Sequence, residues 1–282
     1  MIDTIKQQVV REYTGINYCG CWISSDCTGR HYARFGDAVA TSKAVHLYFS
    51  SSGSDKNMGE LPDIGPLSDR ASDRIGYCRF DVKSRKWSDI RWVVTASRQG
   101  GHDNLYQAPR ACSVVQFRGM WYMFFESFTD PSFIVSVFVA RSEQPEGPFE
   151  ILTDNGWETS PSSARWRPVL KPCVVEQYGH DCILDNFRLG VDDNPFIGLY
   201  GAGMPTAVVL NNRIQLFYAD TTNFIRERME DTGVRQENKQ IPFRMMTSSD
   251  DPTSFQSYFS DYSEWRGHVL ETDGNHALLR PV

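Results

Sequence analysis

The alternation of apolar and polar segments predicts paired strands along most of the chain. One pattern occurs three times: a short apolar run, a tight polar turn and an aromatic-rich run. The copies cover residues 36–50, 112–126 and 205–220. Their turns are Thr41-Ser42-Lys43, Arg118-Gly119 and Asn211-Asn212. Turns of this composition favour hairpins, and near-continuous apolar runs are typical of strands buried on both faces.

A second pattern follows each hairpin. Residues 76–81, 137–142 and 243–250 each read as a further strand, which a polar turn separates from an aromatic residue that starts a new strand. These aromatic residues are Trp87, Phe149 and Phe255. Each unit is therefore predicted to be a four-stranded antiparallel meander, and meanders that stack bury both of their faces, as propeller blades do.

The predicted fold class is an all-β, five-bladed β-propeller of four-stranded antiparallel blades, forming a single domain over residues 1–282. The copies are spaced irregularly and further apart than blades of about 40–60 residues require. A degenerate blade is therefore expected within residues 160–194, and an incomplete or degenerate last blade stays open as an alternative. Residues 1–30 and 258–282 are expected to close or flank the propeller.

Charge and hydropathy exclude several classes of function. The chain has 29 Lys and Arg against 35 Asp and Glu, a net charge of −6, so it lacks the global basic field of a nucleic-acid binder. No stretch approaches the 18 or so apolar residues of a membrane span, and we expect neither a nucleic-acid nor a membrane partner. The N-terminus shows no signal peptide, which fits a cytoplasmic protein, or a phage or secreted protein whose signal lies outside the printed chain.

The cysteine and aromatic contents also carry information. The seven cysteines are an odd number, which does not indicate a closed disulfide framework. Cys19, Cys21 and Cys27 cluster, but their spacing lacks the C-x-x-C or His pair that zinc sites usually show, so buried thiols are predicted. Aromatic residues make up 13% of the chain, which fits both strands and sugar-binding platforms.

Residues 117–125, 140–150 and 201–220 each resemble a stretch of the five-bladed propeller glycoside hydrolases, especially family 43 and its relatives. Residues 117–125 (Phe-Arg-Gly-Met-Trp-Tyr-Met-Phe-Phe) are similar to an inner hairpin of that group. Residues 140–150 are similar to its "Ala-Arg-Ser…Gly-Pro-Trp/Phe-Glu" outer strand, and residues 201–220 to its stretch "Gly-x-Gly-Gln-Pro-Ser-Val-Val…Leu-Phe-Tyr-Thr-Asp". The resemblance covers roughly residues 30–256.

This resemblance implies hydrolysis of a glycosidic bond with inversion. A carboxylate base, a carboxylic acid and a third carboxylate that tunes the acid would line a central funnel, and an oligosaccharide or polysaccharide would be the ligand. Inversion needs the two carboxyl groups about 6.5–9.5 Å apart, so that a water fits between. The resemblance implies no cofactor, with a structural Ca²⁺ near the axis as an alternative.

The family positions transfer only in part. Asp37 lies where the general base is expected, at the start of the first inner strand, but Ala38 replaces the usual proline. In the second blade Arg110 follows Pro109, where the family has its tuning carboxylate. Met204 occupies the analogous position before Pro205, and the general acid has no unambiguous counterpart.

Further residues could complete the site. Asp103 lies in a loop that feeds the second inner strand, and Glu126 and Asp220 are expected to end the second strands of their blades. The predicted catalytic residues are Asp37, Asp103, Glu126 and Asp220. The predicted ligand-binding residues are Arg110, His102, Arg34, Tyr106 and Trp22. Each has a structural alternative: carboxylates that cap backbone amides, arginines in ion pairs, and aromatic rings that pack between blades. His46 alternates with core residues and is interpreted as structural.

Two functions remain. Asp37 and the acidic loops favour a glycoside hydrolase, which is the preferred interpretation. Arg110 favours a non-catalytic carbohydrate-binding propeller that recognises an anionic glycan, for example in a phage tail or a surface assembly, because a guanidinium suits carboxylate, sulfate or phosphate groups.

Overall fold

The computed structural model describes an all-β chain. The described residues are 32–52, 74–95, 97–98, 106–107, 109–129, 134–159, 165–172, 201–220, 243–257 and 276–279. All regular secondary structure within these ranges is β-strand. No helix in this part of the chain is long and apolar enough to cross a membrane.

The first sheet is antiparallel and contains strands β1 to β5. Its strands are β1 (Tyr32–Ala40), β2 (Ala44–Ser52), β3 (Arg74–Asp81), β4 (Lys86–Trp87) and β5 (Arg91–Thr95). The order is β1-β2-β3-β4, and β5 also pairs with β3. Because β2 occupies one whole edge of β3, β4 and β5 share the other edge and form one interrupted outer strand.

In the second and third sheets, strands that follow one another along the chain are also neighbours in the sheet. The second has the order β12-β11-β10-β9-β8 and the third the order β13-β14-β15-β16. Their strands are β8 (Arg110–Phe117), β9 (Met120–Thr129), β10 (Ile134–Ser142), β11 (Glu150–Thr153), β12 (Gly156–Glu158), β13 (Ala202–Leu210), β14 (Arg213–Asp220), β15 (Phe243–Ser249) and β16 (His276–Leu279). A separate pair joins β6 (Ser97–Arg98) to β7 (Tyr106–Gln107).

The three predicted hairpins are confirmed as β1–β2, β8–β9 and β13–β14. The strand predicted to restart at Phe255 is wrong. The Asp251 carboxylate accepts hydrogen bonds from the backbone N–H and the hydroxyl of Thr253, which folds this segment into a turn. The backbone N–H of Phe255 donates to the carbonyl of Val169 and not to a neighbouring strand of its own sheet. The outer neighbour of β15 is β16. The degenerate blade expected within residues 160–194 lies largely outside the described residues, as do residues 1–30.

The chain divides into two compact units. The first unit comprises Met1–Phe125 and Ala140–Arg167, and the second comprises Glu126–Val139 and Pro168–Val282. Strands β9 and β10 contribute residues to both units.

The two faces of the first sheet differ in chemistry. Successive side chains of a strand point to opposite faces, and the register places one apolar set on a single face. This set is Ala38, Val45, Leu47, Phe49, Cys78 and Phe80. On the same face Gly76 lies opposite Phe49, and its missing Cβ leaves room for the Phe49 ring.

The opposite face is polar but buried. It carries Asp37, His46, Tyr48, Ser50 and Tyr77, and the last four are each less than 5% exposed. These groups are hydrogen-bonded, as buried polar groups must be to offset their lost hydration.

Aromatic hydroxyls satisfy the outer part of this polar face. The Tyr48 hydroxyl donates to the carbonyl of Pro145, in the turn after β10. Nδ1 of His46 and the Tyr77 hydroxyl are 2.8 Å apart and hydrogen-bonded. Burial raises the pKa of Tyr77 to about 12, so its hydroxyl stays protonated over the physiological range. His46 is therefore a structural residue, in agreement with its pattern in the sequence.

His46 should make the stability of the protein depend on pH. Burial lowers its pKa below 6.5, and the nearby charge of Arg79 lowers it further while that of Glu146 opposes the shift. The folded protein thus binds this proton less tightly than the unfolded chain does. The contribution of His46 to the free energy of unfolding is complete above about pH 6.5 and falls as the pH drops towards the lowered pKa. Chemical denaturation between pH 5 and 8 should show this loss in the native protein, and His46→Asn should show less of it. An identical pH profile in both would contradict the assignment.

Candidate functional site

Asp37 lies in the middle of β1. The strand begins at Tyr32, so the prediction that Asp37 starts the first inner strand is wrong. Residues 32–35 pair with the serine-rich end of β2, which extends the strand beyond its apolar run. The register shifts between Phe35 and Asp37, so Gly36 forms a β-bulge immediately before the carboxylate. Bulges re-aim the side chains that follow them.

The Asp37 carboxylate is held by three hydrogen bonds. Oδ1 accepts from the backbone N–H of Ala38 at 2.7 Å. Oδ2 accepts from the Ser113 hydroxyl at 3.0 Å and from the backbone N–H of Val114 at 2.8 Å. Two of these donors belong to β8, so the carboxylate links the first sheet to the edge strand of the second. Asp37 is half-exposed, and one of its roughly four acceptor positions stays free of these bonds.

Close packing fixes the bulge against β8. A Cβ at Gly36 would lie 2.5 Å from Sγ of Cys112, so only glycine fits there without displacing that side chain. Burial raises the pKa of the Cys112 thiol, and the nearby charge of Asp37 raises it further. The thiol therefore stays protonated and acts as a packing group, because only a thiolate is a good nucleophile or metal ligand.

A second link joins the same two sheets at the start of β8. Oγ of Ser50 accepts from the backbone N–H of Ala111 at 2.9 Å. Ala111 has φ of +45°, a left-handed conformation that non-glycine residues adopt infrequently. Arg110, the predicted ligand contact, is half-buried immediately before it.

Glu126 belongs to the second unit. Strand β9 continues to Thr129, so the prediction that Glu126 ends this strand is wrong. Its Oε2 accepts from the backbone N–H of Met204 at 2.7 Å. A Cβ on Gly203 would lie 2.5 Å from this oxygen, so the carboxylate occupies the space that glycine leaves. Glu126 thus links β9 to β13, as Asp37 links β1 to β8.

The other predicted residues are placed less fully. Asp220 is the last residue of β14, as predicted, with its backbone opposite Ala202. Arg34 lies in β1 opposite Ser50, and Tyr106 lies in β7. Trp22, His102 and Asp103 lie outside the described residues.

Ser50, Ser113 and Gly203 take part in these links but were not selected from the sequence. Ser113 interrupts the apolar run of β8, and this polar interruption is a signal that could have found it. The described residues contain no group of three or more His, Cys, Asp or Glu side chains that could hold a metal ion.

Comparisons with known structures return carbohydrate-active enzymes. A family 117 glycoside hydrolase from Zobellia galactanivorans is 12% identical, with a TM-score of 0.46 over 87% of this chain. A thermostable family-43 glycoside hydrolase is 16% identical, with a TM-score of 0.43 over 71% of this chain. An endo-arabinase from Bacteroides thetaiotaomicron is 9% identical, with a TM-score of 0.41 over 86% of this chain. These are the enzymes that the resemblance in the sequence predicted, found at low identity.

The chain covers 58%, 53% and 60% of the lengths of these three structures. No protein-family model matches the chain, and no curated protein matches it in sequence. The likeness to these three structures is one of backbone course alone.

Removing the Asp37 carboxylate should destabilise the first unit. Asp37→Ala strands the Val114 N–H and the Ser113 hydroxyl, and unsatisfied buried donors cost about 1–3 kcal/mol each. Ser113→Ala removes one of the donors to the carboxylate and keeps the carboxylate itself, so it should cost less, about 1 kcal/mol. Urea denaturation measures both variants. Equal and negligible losses would show that the carboxylate does not hold β8.

Proposed function

We propose that the chain is a five-bladed propeller glycoside hydrolase that cleaves glycosidic bonds with inversion, with Asp37 as the general base. The observation that carries the proposal is the state of the Asp37 carboxylate. Within the described residues it is fixed by three donors and is half-exposed, which would leave one of its roughly four acceptor positions for a water molecule. A general base must be held in place and still be able to accept a proton.

The proposed reaction is a direct displacement of the leaving group by water. Asp37 takes a proton from water, whose oxygen attacks the anomeric carbon from the face opposite the leaving group. A carboxylic acid donates its proton to the departing glycosidic oxygen, and the configuration at the anomeric carbon is inverted. Asp103, Glu126 and Asp220 are the residues predicted from the sequence as candidates for this acid.

The same hydrogen bonds shape the test of Asp37. An asparagine can keep its carbonyl oxygen towards Ser113 and Val114, but its NH₂ then faces the N–H of Ala38. Asp37→Asn should therefore fold with a modest loss of stability and without a basic carboxylate. We expect turnover to fall by a factor of about 10² or more, which is the scale of general-base catalysis.

The measurement uses a panel of 4-nitrophenyl glycosides and neutral oligosaccharides, with the anomer of the first product read by NMR. Ser113→Ala is the matched control. It loses a donor to the same carboxylate but keeps the base, and should retain turnover to within about tenfold. Native turnover in Asp37→Asn would remove Asp37 from the mechanism, and a product of retained configuration would exclude its role as the base of an inverting reaction.

A second candidate function rests on Arg110. A guanidinium favours the anion of a nearby carboxylic acid, which is the opposite of what a tuning carboxylate does. An anionic glycan would instead pair with its planar, bidentate donors. In this alternative the protein binds acidic carbohydrates without cleaving them.

Arg110→Ala separates the two functions. For a binder of acidic glycans, it should weaken binding of oligogalacturonate by about 2–5 kcal/mol, because the anionic group loses its charged partner. Binding of neutral xylohexaose should change little. Arg110→Lys keeps the charge but loses the fork, and should fall between. Isothermal titration calorimetry measures all three proteins, and equal losses for both sugars would end this alternative.

A further inference from the structure

Met204 is an apolar side chain held out into solvent. It is 54% exposed, on β13, the edge strand of the third sheet. Its φ of +51° lies in the left-handed region, which is unfavourable for a non-glycine residue. The register of β13 with β14 also shifts here, between Gly203 and Thr206. A strained backbone of this kind persists only where its surroundings over-determine it, and such sites cluster where ligands bind.

Two neighbours impose this conformation within the second unit. Glu126 accepts the Met204 N–H at 2.7 Å, a charge-assisted bond that is stronger than one between neutral groups. Gly203 makes the bond sterically feasible, because a Cβ there would lie 2.5 Å from Oε2 of Glu126 and 3.2 Å from Cγ1 of Val135. The Glu126 carboxylate and Gly203 thus both fix the peptide unit between Gly203 and Met204.

We propose that Glu126 is a positioning residue that holds Met204 as an apolar contact for a sugar ring. This inference rests on the proposed carbohydrate function and names a residue that would recognise the ligand. The flexible, polarisable Met side chain adapts to irregular apolar surfaces, and the C–H face of a sugar ring is one. Thr206, exposed two residues further along β13, offers a hydroxyl for the ring's polar edge. Holding the Met204 N–H requires no proton transfer by Glu126.

Methionine oxidation tests the contact directly. Dilute hydrogen peroxide followed by mass spectrometry gives the oxidation rate of each methionine, with xylohexaose, arabinohexaose, mannohexaose and oligogalacturonate as probes. Met204 should be oxidised rapidly in the free protein and be protected at least threefold by the oligosaccharide that binds. The fully buried Met123 and the half-buried Met120 are internal controls whose rates should not respond to the probe.

Variants separate positioning from packing. Met204→Ala should weaken binding of the protecting oligosaccharide about tenfold, and Met204→Leu should recover most of that loss. Glu126→Ala should abolish the protection of Met204, because the bulge loses its acceptor. Glu126→Gln keeps a carbonyl acceptor for the Met204 N–H and should restore the protection that Glu126→Ala removes.

The outcomes distinguish this inference from the function on which it rests. Turnover that depends on Asp37, with Met204 unprotected by the hydrolysed sugar, would overturn the inference and leave the hydrolase standing. If no probe is bound or cleaved, both fail. Protection that rises with protein concentration in the absence of sugar would assign Met204 to contact between two copies of the chain. Loss of protection in Glu126→Gln as complete as in Glu126→Ala would exclude the positioning role.

Discussion

The structure depends on how the edge strands β8 and β13 satisfy their backbone N–H groups. Each strand ends its sheet in the described part of the chain, so strand pairing alone cannot bond every N–H group along it. Side-chain oxygens supply the missing acceptors: Asp37 for Val114, Ser50 for Ala111, and Glu126 for Met204. A buried N–H without a partner costs about as much as a lost hydrogen bond, so the oxygen that binds the buried Val114 N–H is a structural requirement.

A related requirement, that buried side-chain polar groups find partners, shapes the polar face of the first sheet. One face carries aliphatic and aromatic side chains. In a sheet that is buried on both faces, both faces are usually apolar in this way. The other face begins with Asp37 and Ser50 and continues with Tyr48, His46 and Tyr77. Each of these residues donates or accepts a defined hydrogen bond. Directional bonds of this kind specify the register between sheets, which apolar contacts alone specify weakly.

The sequence was sufficient to predict the local elements. Hairpin turns such as Arg118-Gly119 and Asn211-Asn212 carry their own chemistry, and the strands on either side follow within a few residues. The strand wrongly predicted at Phe255 also has a local cause, since the side-chain oxygen of Asp251 accepts hydrogen bonds that form a turn, which the aromatic pattern did not reveal.

The candidate site was harder to predict because bulges and left-handed residues decide its geometry. The shift at Gly36 re-aims Asp37, and the conformations of Ala111 and Met204 depend on acceptors that lie far away in sequence. Periodicity carries no signal for such contacts. The sequence pattern therefore indicated Asp37 and Glu126 as candidate carboxylates. It did not indicate that each accepts a hydrogen bond from the backbone of another sheet.

A carboxylate can serve both structure and chemistry when some of its acceptor positions stay open. Three acceptor positions of the Asp37 carboxylate bind donors of the fold, and in the proposed reaction the fourth would bind water. The Glu126 carboxylate binds the Met204 N–H, a structural contact that needs no catalytic role. The hydrogen bonds set by the fold would then provide the preorganisation that a general base needs.

Amide hydrogen exchange measured by NMR shows whether the Asp37 carboxylate holds the edge strand β8. If Asp37 holds the edge strand, the Val114 amide should be strongly protected in the native protein, and Asp37→Ala should lower its protection factor by about tenfold or more. Amides of the central strand β9 should keep their protection in the same variant. A Val114 amide that exchanges equally in both proteins would contradict the account, because it would show that the carboxylate does not bear on the strand it contacts.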